Sequence, residues 1–532
     1  MTKIYIIFFT LWVWAQVCYC QITFQKIIGG SGFELSTGIS QLNDGSYIIS
    51  GRTNSFGAGN SDVYFIKLDS YGDTLWTKTY GNIKDESSWS ILQTKDGGYI
   101  ITGVSTSFIS LPTDTENIYI IKTDSNADTL WTRTYGGIGF IEGTDAKQTS
   151  DGGYAFFAST RSFGAGGFDY YLIKTNENGD TLWTQVYGGV NDDLFYRLQQ
   201  TTDKGYLISG YTYSFGAGGA DAYIVKTDSL GVLQWSKTYG GSRDDFITDA
   251  KQTTDGGFIF TGYTQSYNTN LLDTFTTFVI KTNSIGDTLW IKTYGANNTT
   301  VSHQVFQSSD GNYILVGYTG HTNGNSIGSY NAYLLKIDAN GDTLFSKVVT
   351  TSFSEFNAAQ ATVDGGMIMV GDVNLSSVDM FLVKTDSMGN SSCGQSTTQT
   401  RVNKVSMVVT NPITQQNSTQ TIVRNTNTLI GHGANINTLC TNAAIEQFTK
   451  NNLQLSVYPN PNTGSFTIIY TLEQDAIMYL YDVQGKQVYS INISAEQKSV
   501  EINNLDLQNG MYMYKVLNNG TMLNNGKLII LK

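Results

Sequence analysis

The side chains best placed by their spacing to do chemistry are six carboxylates. Glu34, Glu86, Asp193 and Asp245 each lie ten residues before an Asp-Gly-Gly-Tyr sequence or a close variant of it, and Glu142 and Glu355 lie nine before theirs. Gathered around one opening, such acids would focus a negative potential and attract a metal ion or a cationic group. Held in loops, they would cap turns or pair with Lys and Arg. Other chemistry is sparse. The three histidines, His303, His321 and His432, are scattered without HExxH or paired-Cys spacing, so no metal and no cofactor are expected. There is no nucleophile elbow and no paired His and Cys, so no catalytic residue is assigned. Gln41, Gln93, Gln148, Gln200, Gln252 and Gln307 recur three residues before the marker, as amides that cross-link neighbouring units would.

The elements that must position these groups come from an internal repeat. The marker begins at Asp44, Asp96, Asp151, Asp203, Asp255, Asp310 and Asp364, at spacings of 52, 55, 52, 52, 55 and 54 residues. Each marker is followed by a turn and an alternating strand ending in Lys: Lys67, Lys122, Lys174, Lys226, Lys281, Lys336 and Lys384. Recurrence in every unit points to a structural rim position beside a carboxylate rather than a polyanion site. A turn and a strand such as LWTKTYG complete the unit. Four short strand signals at this period describe a propeller blade, and seven copies predict an all-β, seven-bladed β-propeller. The seventh unit lacks its fourth strand, and the missing piece lies at the other end: Phe24, Lys26 and Gly29 fall 52 residues before Trp76, Lys78 and Gly81. An N-terminal strand is therefore expected to close the last blade, which would remove two open sheet edges.

Composition agrees. The chain has 532 residues with 56 Gly against 4 Pro and 33 Tyr, a pattern of many tight turns between aromatic strands. Its net charge of −12 and the lack of a local basic patch argue against nucleic-acid binding. Antiparallel order puts the marker turns and the Asp-x-x-Gly-Asp turns on one face. The SFGAG loops at Ser55, Ser162 and Ser214 share the other face with the carboxylates, so Glu34, Glu86, Asp193, Asp245 and Glu355 are expected near the channel mouth. The turn at Asp69 is similar to the Asp-box of sialidase propellers, with extra residues before Gly and before Trp.

At the start of the chain, residues 1–20 hold a short apolar run fitting a signal peptide, with cleavage expected after Cys20. The mature chain would then have no transmembrane segment. It would keep Cys393 and Cys440, which are expected to pair as a disulfide in an oxidising compartment. Residues 21–390 are assigned to the propeller. Residues 391–452, rich in Ser, Thr, Asn and Gln, read as a linker, and 453–532 return to alternating strands suggesting a small Ig-like β-sandwich.

Within that last segment SVYPNPNTGSFTI, MYLYDVQGKQVYS and LDLQNGMYMYKVLNNG resemble the type A C-terminal sorting domain of the type IX secretion system of Bacteroidetes. Pro459, Asn460, Pro461, Gly464, Gly485, Gly510 and Tyr512 occupy its motif positions. The resemblance implies passage through the periplasm, contact with the type IX secretion machinery at the outer membrane, and a secreted or cell-surface product. Asp-Thr-Leu at Asp73, Asp128, Asp180, Asp287 and Asp342 also matches the O-glycosylation sequence of that phylum. The expectation for function is a binding or adhesion protein whose ligand is a glycan or a surface protein. The alternative is a glycan-active hydrolase or lyase using carboxylates at the channel mouth.

Overall fold

The computed structural model describes residues 21–531 apart from 109–115, 138, 268–274, 296–298, 324–325, 350–352, 375–376, short stretches between 392 and 434, 443–454, 461, 473, 483–486 and 519–520. The signal-peptide expectation lies outside these residues. The chain divides into two compact units, Met1–Ala444 and Ile445–Lys532.

The first unit is built from seven antiparallel sheets of five strands each. Sheets 1 to 6 take their first four strands from consecutive chain, running from Glu34–Gln41 to Thr74–Gly81 in sheet 1 and from Thr299–Gln307 to Thr343–Val349 in sheet 6. Sheet 7 takes three, from Ser354–Ala361 to Val378–Thr385, and its fourth is the N-terminal strand Thr23–Gly29, paired antiparallel with Val378–Thr385. The third strands are buried nearly throughout, as in Asp169–Thr175, because a sheet covers each face; apolar residues fill their middles on both faces, and the terminal Lys is held by an ion pair.

Neighbouring sheets are tied by a recurring pair of contacts. A fourth-strand tyrosine donates to a turn carbonyl of the next sheet, as Tyr80 does to Ala127, Tyr135 to Gly179, Tyr239 to Gly286 and Tyr294 to Gly341, each at 2.7 Å. The nearby Lys or Arg reaches the turn aspartate of that sheet: Lys78 to Asp128, Arg133 to Asp180, Lys237 to Asp287 and Lys292 to Asp342. Lys26 in sheet 7 makes the same bridge to Asp73 in sheet 1. Sheet 1 also packs directly on sheet 7, where Asp372 accepts from the Ser36 amide at 2.8 Å.

The fifth strands come from the segment read as a linker. Gln395–Thr397, Arg401–Lys404, Val408–Thr410, Gln415–Ser418, Ile422–Asn425, Leu429–Gly431 and Asn435–Asn442 pair in turn with the fourth strands of sheets 6, 5, 4, 3, 2, 1 and 7. The segment is thus a belt running back over the outer edges. An unpaired edge strand presents free N–H and C=O groups, and short Thr-, Val- and Ile-bearing stretches satisfy them. The last and longest, Asn435–Asn442, holds Thr23–Gly29 from the side opposite Val378–Thr385.

The disulfide expectation is not supported. Among the described residues no cysteine pair lies at bonding distance; Cys440 faces Gln25 in register, and Cys393 falls outside the described residues. The C-terminal unit packs a three-stranded and a four-stranded sheet on one core that includes Ile468, Leu480, Val516 and Leu528.

Candidate functional site

The acids singled out by spacing divide by strand parity, because successive side chains point to opposite faces. Those ten residues before the marker are buried and turned into the preceding loop. Glu34 accepts from the Gly30 amide at 2.7 Å and Thr53 Oγ1 at 2.6 Å. Glu86 accepts from Asn82 N and Ser105 Oγ, both at 2.7 Å. Asp193 accepts from Gly189 N, and Asp245 from Gly241 N and Ser266 Oγ, each at 2.7 Å. These four cap loops and do not open onto a channel. Glu142 and Glu355, one residue on, are half-buried; Glu142 lines a central cavity, and Glu355 lies opposite Asp372 in register.

Three of the capping acids also meet a second carboxylate from the preceding sheet, which the SFGAG loop amides hold. Asp169 Oδ1 and Asp193 Oδ2 converge over Gly188, lying 2.0 and 2.6 Å from where a Cβ would stand; Asp221 and Asp245 converge likewise over Gly240, and Asp62 and Glu86 over Gly81. The loop amides of Ala165 and Ala217 donate to Asp169 and Asp221 at 3.0 Å. Burial pushes Asp169 up to about 7 and Asp193 and Asp221 up to about 6, the neighbouring acid adding to the shift of Asp169 and Asp221. Where one member is neutral so is the other: Asn117 meets Ile141 over Gly136, and Thr276 meets Thr300 over Gly295.

The centre itself is built from residues that spacing alone did not single out. Every first strand carries a β-bulge, and the displaced residue lies seven before the marker: Thr37, Trp89, Thr144, Tyr196, Thr248, His303 and Asn357. Bulges re-aim side chains. Six of these seven, all but Thr144, line one cavity of about 300 Å³ together with Ser36, Ser88, Arg52, Arg197 and Asp372. In sheet 3 the bulge includes Gly143, and the Phe195 ring fills the space a side chain there would need. A smaller cavity of about 140 Å³ shares Trp89, Tyr196 and Arg197 and adds Glu142 and Tyr211. The signal for these residues in the repeat is a stretch of each first strand whose residue types change between units, against the marker Asp, the rim Lys and the bridging Gln, which recur.

An aromatic arc adjoins this centre, entering its lining at Tyr196 and His303. Ring centroids run from Tyr196 to Tyr211 at 5.8 Å, on to Phe246 at 4.8 Å and to Tyr263 at 4.9 Å, with His303, Tyr318 and Tyr330 continuing the arc at 5.6 and 5.3 Å. Polar groups share the lining. Asp372 accepts from Ser36 N and Oγ and from Asn357 Nδ2 at 2.8, 3.0 and 2.8 Å. Burial pushes it up to about 7, with the Glu355 charge adding to the shift. His303 Nδ1 lies 3.1 Å from the Phe356 carbonyl, which can only accept, so Nε2 is the acceptor. Burial lowers this imidazole to about 4. Beneath lie two ion pairs, Lys147–Asp145 at 3.0 Å and Lys251–Asp249 at 2.9 Å. Burial alone would raise Asp145, yet Lys147 and Arg197 hold it at about 2. Among the described residues, no group of three or more His, Cys, Asp or Glu gathers as a metal site.

The opposite face holds the other recurring residues. Lys122, Lys174, Lys226, Lys281, Lys336 and Lys384 pair with the marker aspartates at 2.7–3.0 Å. Gln148, Gln200, Gln252 and Gln307 each accept an amide from the preceding sheet's marker turn at 2.8–3.0 Å, and Gln41 accepts one from Val363 in sheet 7. Of the Asp-Thr-Leu threonines, Thr129, Thr181 and Thr343 have buried hydroxyl oxygens. In the C-terminal unit Asn460 clamps the last strand, donating to Lys527 O and accepting from Ile529 N, both at 2.8 Å. Gly464 takes φ +99°, Gly510 begins the strand Gly510–Asn518, and Tyr512 donates to Gln508 O at 2.9 Å. Pro459 precedes Asn460 beside the edge strand Leu455–Tyr458, and Pro461 and Gly485 lie outside the described residues.

Residues 456–531 match the secretion system C-terminal sorting domain. The C-terminal unit is a type IX sorting domain, which indicates export to the cell surface or secretion through the type IX machinery. No helix among the described residues is long and apolar enough to cross a membrane. A stretch of 182 residues is 26% identical to the regulatory protein FlaEY of Caulobacter vibrioides, covering 29% of this chain and 19% of that protein; the chain thus spans less than a fifth of that relative's length. The structure is similar to the extracellular domain of the one-component system BT4673 from B. thetaiotaomicron, at 10% identity over 94% of this chain and 74% of that one, with a TM-score of 0.20. It is also similar to a mannose phosphorylase from Leishmania mexicana, at 10% identity over 47% of this chain and 85% of that one, with a TM-score of 0.26.

Proposed function

We propose that the seven sheets close into a seven-bladed β-propeller sealed by Thr23–Gly29, and that the mature protein is a secreted or cell-surface binding protein whose ligand enters the axial cavity. Closure is supported by the sheet 7 pairing of the N-terminal strand and by the Lys26–Asp73 and Ser36–Asp372 contacts between the last and first sheets. The C-terminal unit, an Ig-like sandwich in this reading, acts as the export address, and residues 1–20 act as the signal peptide. The single observation behind the binding role is the bulge ring. The fold repeats its structural residues seven times, yet at the seven bulges it places Thr, Trp, Thr, Tyr, Thr, His and Asn. A glycan or a surface protein is the ligand class, and binding proceeds without turnover.

The test applies the secreted protein and its Tyr196→Ala and Arg197→Ala variants to an array of glycans and surface-protein ectodomains, followed by product analysis of every hit. Binding that both variants lose by about tenfold or more, with no product formed, is expected. A released or cleaved product would favour the hydrolase or lyase alternative. Binding that both variants retain in full would remove the axial cavity from the function. For export, deleting residues 453–532 is expected to strand the protein in the periplasm, and normal surface delivery would contradict the assignment.

A further inference from the structure

We infer that the axial cavity recognises one terminal, neutral pyranose unit of a glycan, taken end-on. The inference rests on the binding reading just given and specifies its ligand. Three observations lead to it.

The first is the mixed character of the wall. Trp89 and Tyr196 line the cavity as aromatic plates, with Tyr211, Phe246 and Tyr263 extending from Tyr196 outside its lining, while Ser36, Ser88, Asn357, Asp372 and Arg197 set polar groups among them. A pyranose matches both at once, because it has one face of C–H groups and a rim of hydroxyls. The C–H face packs on the electron-rich faces of aromatic rings, and a tyrosine or tryptophan offers an apolar plate beside a polar edge.

The second is the balance of donors and acceptors. Asp372 already accepts three hydrogen bonds, from Ser36 N, Ser36 Oγ and Asn357 Nδ2, which leaves one of its roughly four lone-pair positions for a ligand O–H. His303 serves the Phe356 carbonyl through Nδ1 and also hydrogen-bonds the Asn357 side chain, so it holds the polar groups of the wall in place. Arg197 brings donors, with one weak bond, 3.4 Å to Tyr196 O, drawn from its five N–H groups. A hydroxyl both donates and accepts, and so satisfies such a mixed set. Charge at the opening is mixed: Arg52 and Arg197 line it with Asp372, and Glu142 stands beside Arg197 in the smaller cavity, so the acids offset the arginines and a hydroxyl-bearing ligand needs no charge of its own.

The third is depth. The cavity of about 300 Å³ is at the small end of ligand pockets. Below it the Lys147–Asp145 and Lys251–Asp249 pairs carry charge that a sugar chain passing through would have to displace. One ring fits at the mouth, and a threaded polymer does not.

The experiment prints neutral and acidic glycans on an array, with each neutral sugar present both as a chain end and as an internal unit, and probes it with the full secreted chain. Calorimetry with the methyl glycoside of the best sugar follows, for the natural protein and for Tyr196→Ala and Tyr196→Phe. The expected result is binding of a neutral terminal sugar, at least about tenfold weaker when that sugar is internal, weakened about tenfold or more by Tyr196→Ala and kept by Tyr196→Phe, where the ring face survives. Equal binding of internal units, or preference for acidic sugars, would overturn the inference while leaving the axial binding role intact if Tyr196→Ala still weakens it. Binding insensitive to Tyr196→Ala would overturn the axial reading itself.

Discussion

The two faces of the seven-sheet unit differ in one telling respect: one repeats and the other does not. On the turn face the marker Asp, the rim Lys and the bridging Gln recur from sheet to sheet with bond lengths that vary by a few tenths of an ångström. Around the central cavity the first strands carry Thr, Trp, Tyr, His and Asn at one equivalent position. Like side chains in like surroundings solve the same packing problem from sheet to sheet, six times for the Lys–Asp pair and five for the Gln bridge. Different side chains at equivalent backbone positions cannot be answering a packing demand that all sheets share, so they define a surface with a shape of its own. The loop-capping acids sit between these extremes, acidic in pairs or neutral in pairs, because a lone ionised acid at such a dry joint would lack compensation.

That contrast can be broken or sharpened in several ways. The largest effect is expected at the joint between the first and last sheets. Removing residues 21–30 deletes a strand whose seven residues are all buried and hydrogen-bonded on both edges. A fall of at least about 10 °C in the thermal midpoint is expected, and an unchanged midpoint would mean that the strand does not close the ring. On the turn face, Lys174→Ala removes an ammonium group that is 3.0 Å from Asp151 and 2.7 Å from Thr175 O. It should destabilise by about 1–2 kcal/mol in denaturant titration and leave ligand affinity alone. Gln200→Leu removes the inter-sheet bond to Ser150 N. About 0.5–1 kcal/mol is expected, because the site is exposed to water.

The carboxylate pairs give a pH signature. Asp169, Asp193 and Asp221 have folded pKa values of about 6 to 7, raised by burial above the unfolded value near 3.8. The folded state therefore binds more protons than the unfolded chain in that interval, and stability is lost as pH rises from about 4 to about 7. Asp145 and Asp255, held at about 2, act oppositely and lose their contribution below about 4. Thermal melts across pH should thus peak between about 4 and 5, and Asp169→Asn with Asp193→Asn should flatten the upper limb. An upper limb unchanged in the double variant would show that these pairs are not its source.

Much of the architecture was legible from spacing. A period of 52 to 55 residues, a marker turn and an incomplete seventh unit suffice to propose seven sheets and the role of the N-terminal strand, because hairpin chemistry forces Gly and Asp to fixed offsets. At Lys204 the residue that replaces the marker glycine still takes φ +69°, so even the exception keeps the turn. The belt differs from the linker expectation because its polar composition resembles that of a linker while its strands pair with sheet edges. Its signal was a different period, strands beginning at 395, 401, 408, 415, 422, 429 and 435, one for each edge it crosses. Distance from the marker alone does not place an acid at the mouth. One residue of strand parity separates a loop cap such as Asp193 from a residue facing the axis such as Glu142, and bulges shift that parity again. Which side chains reach the axis is therefore set by local backbone irregularities that charge spacing does not reveal.

The central claim is that constant positions build the molecule and the variable axial positions bind its ligand. The most direct test is the glycan affinity of a Trp89→Thr, Tyr196→Thr double variant, which installs at two bulges the residue that three other sheets already use, with a melting curve taken on the same sample. The account predicts a midpoint within about 3 °C of the natural protein and glycan binding reduced at least about tenfold. A collapsed midpoint with binding preserved in the molecules that remain folded would contradict it.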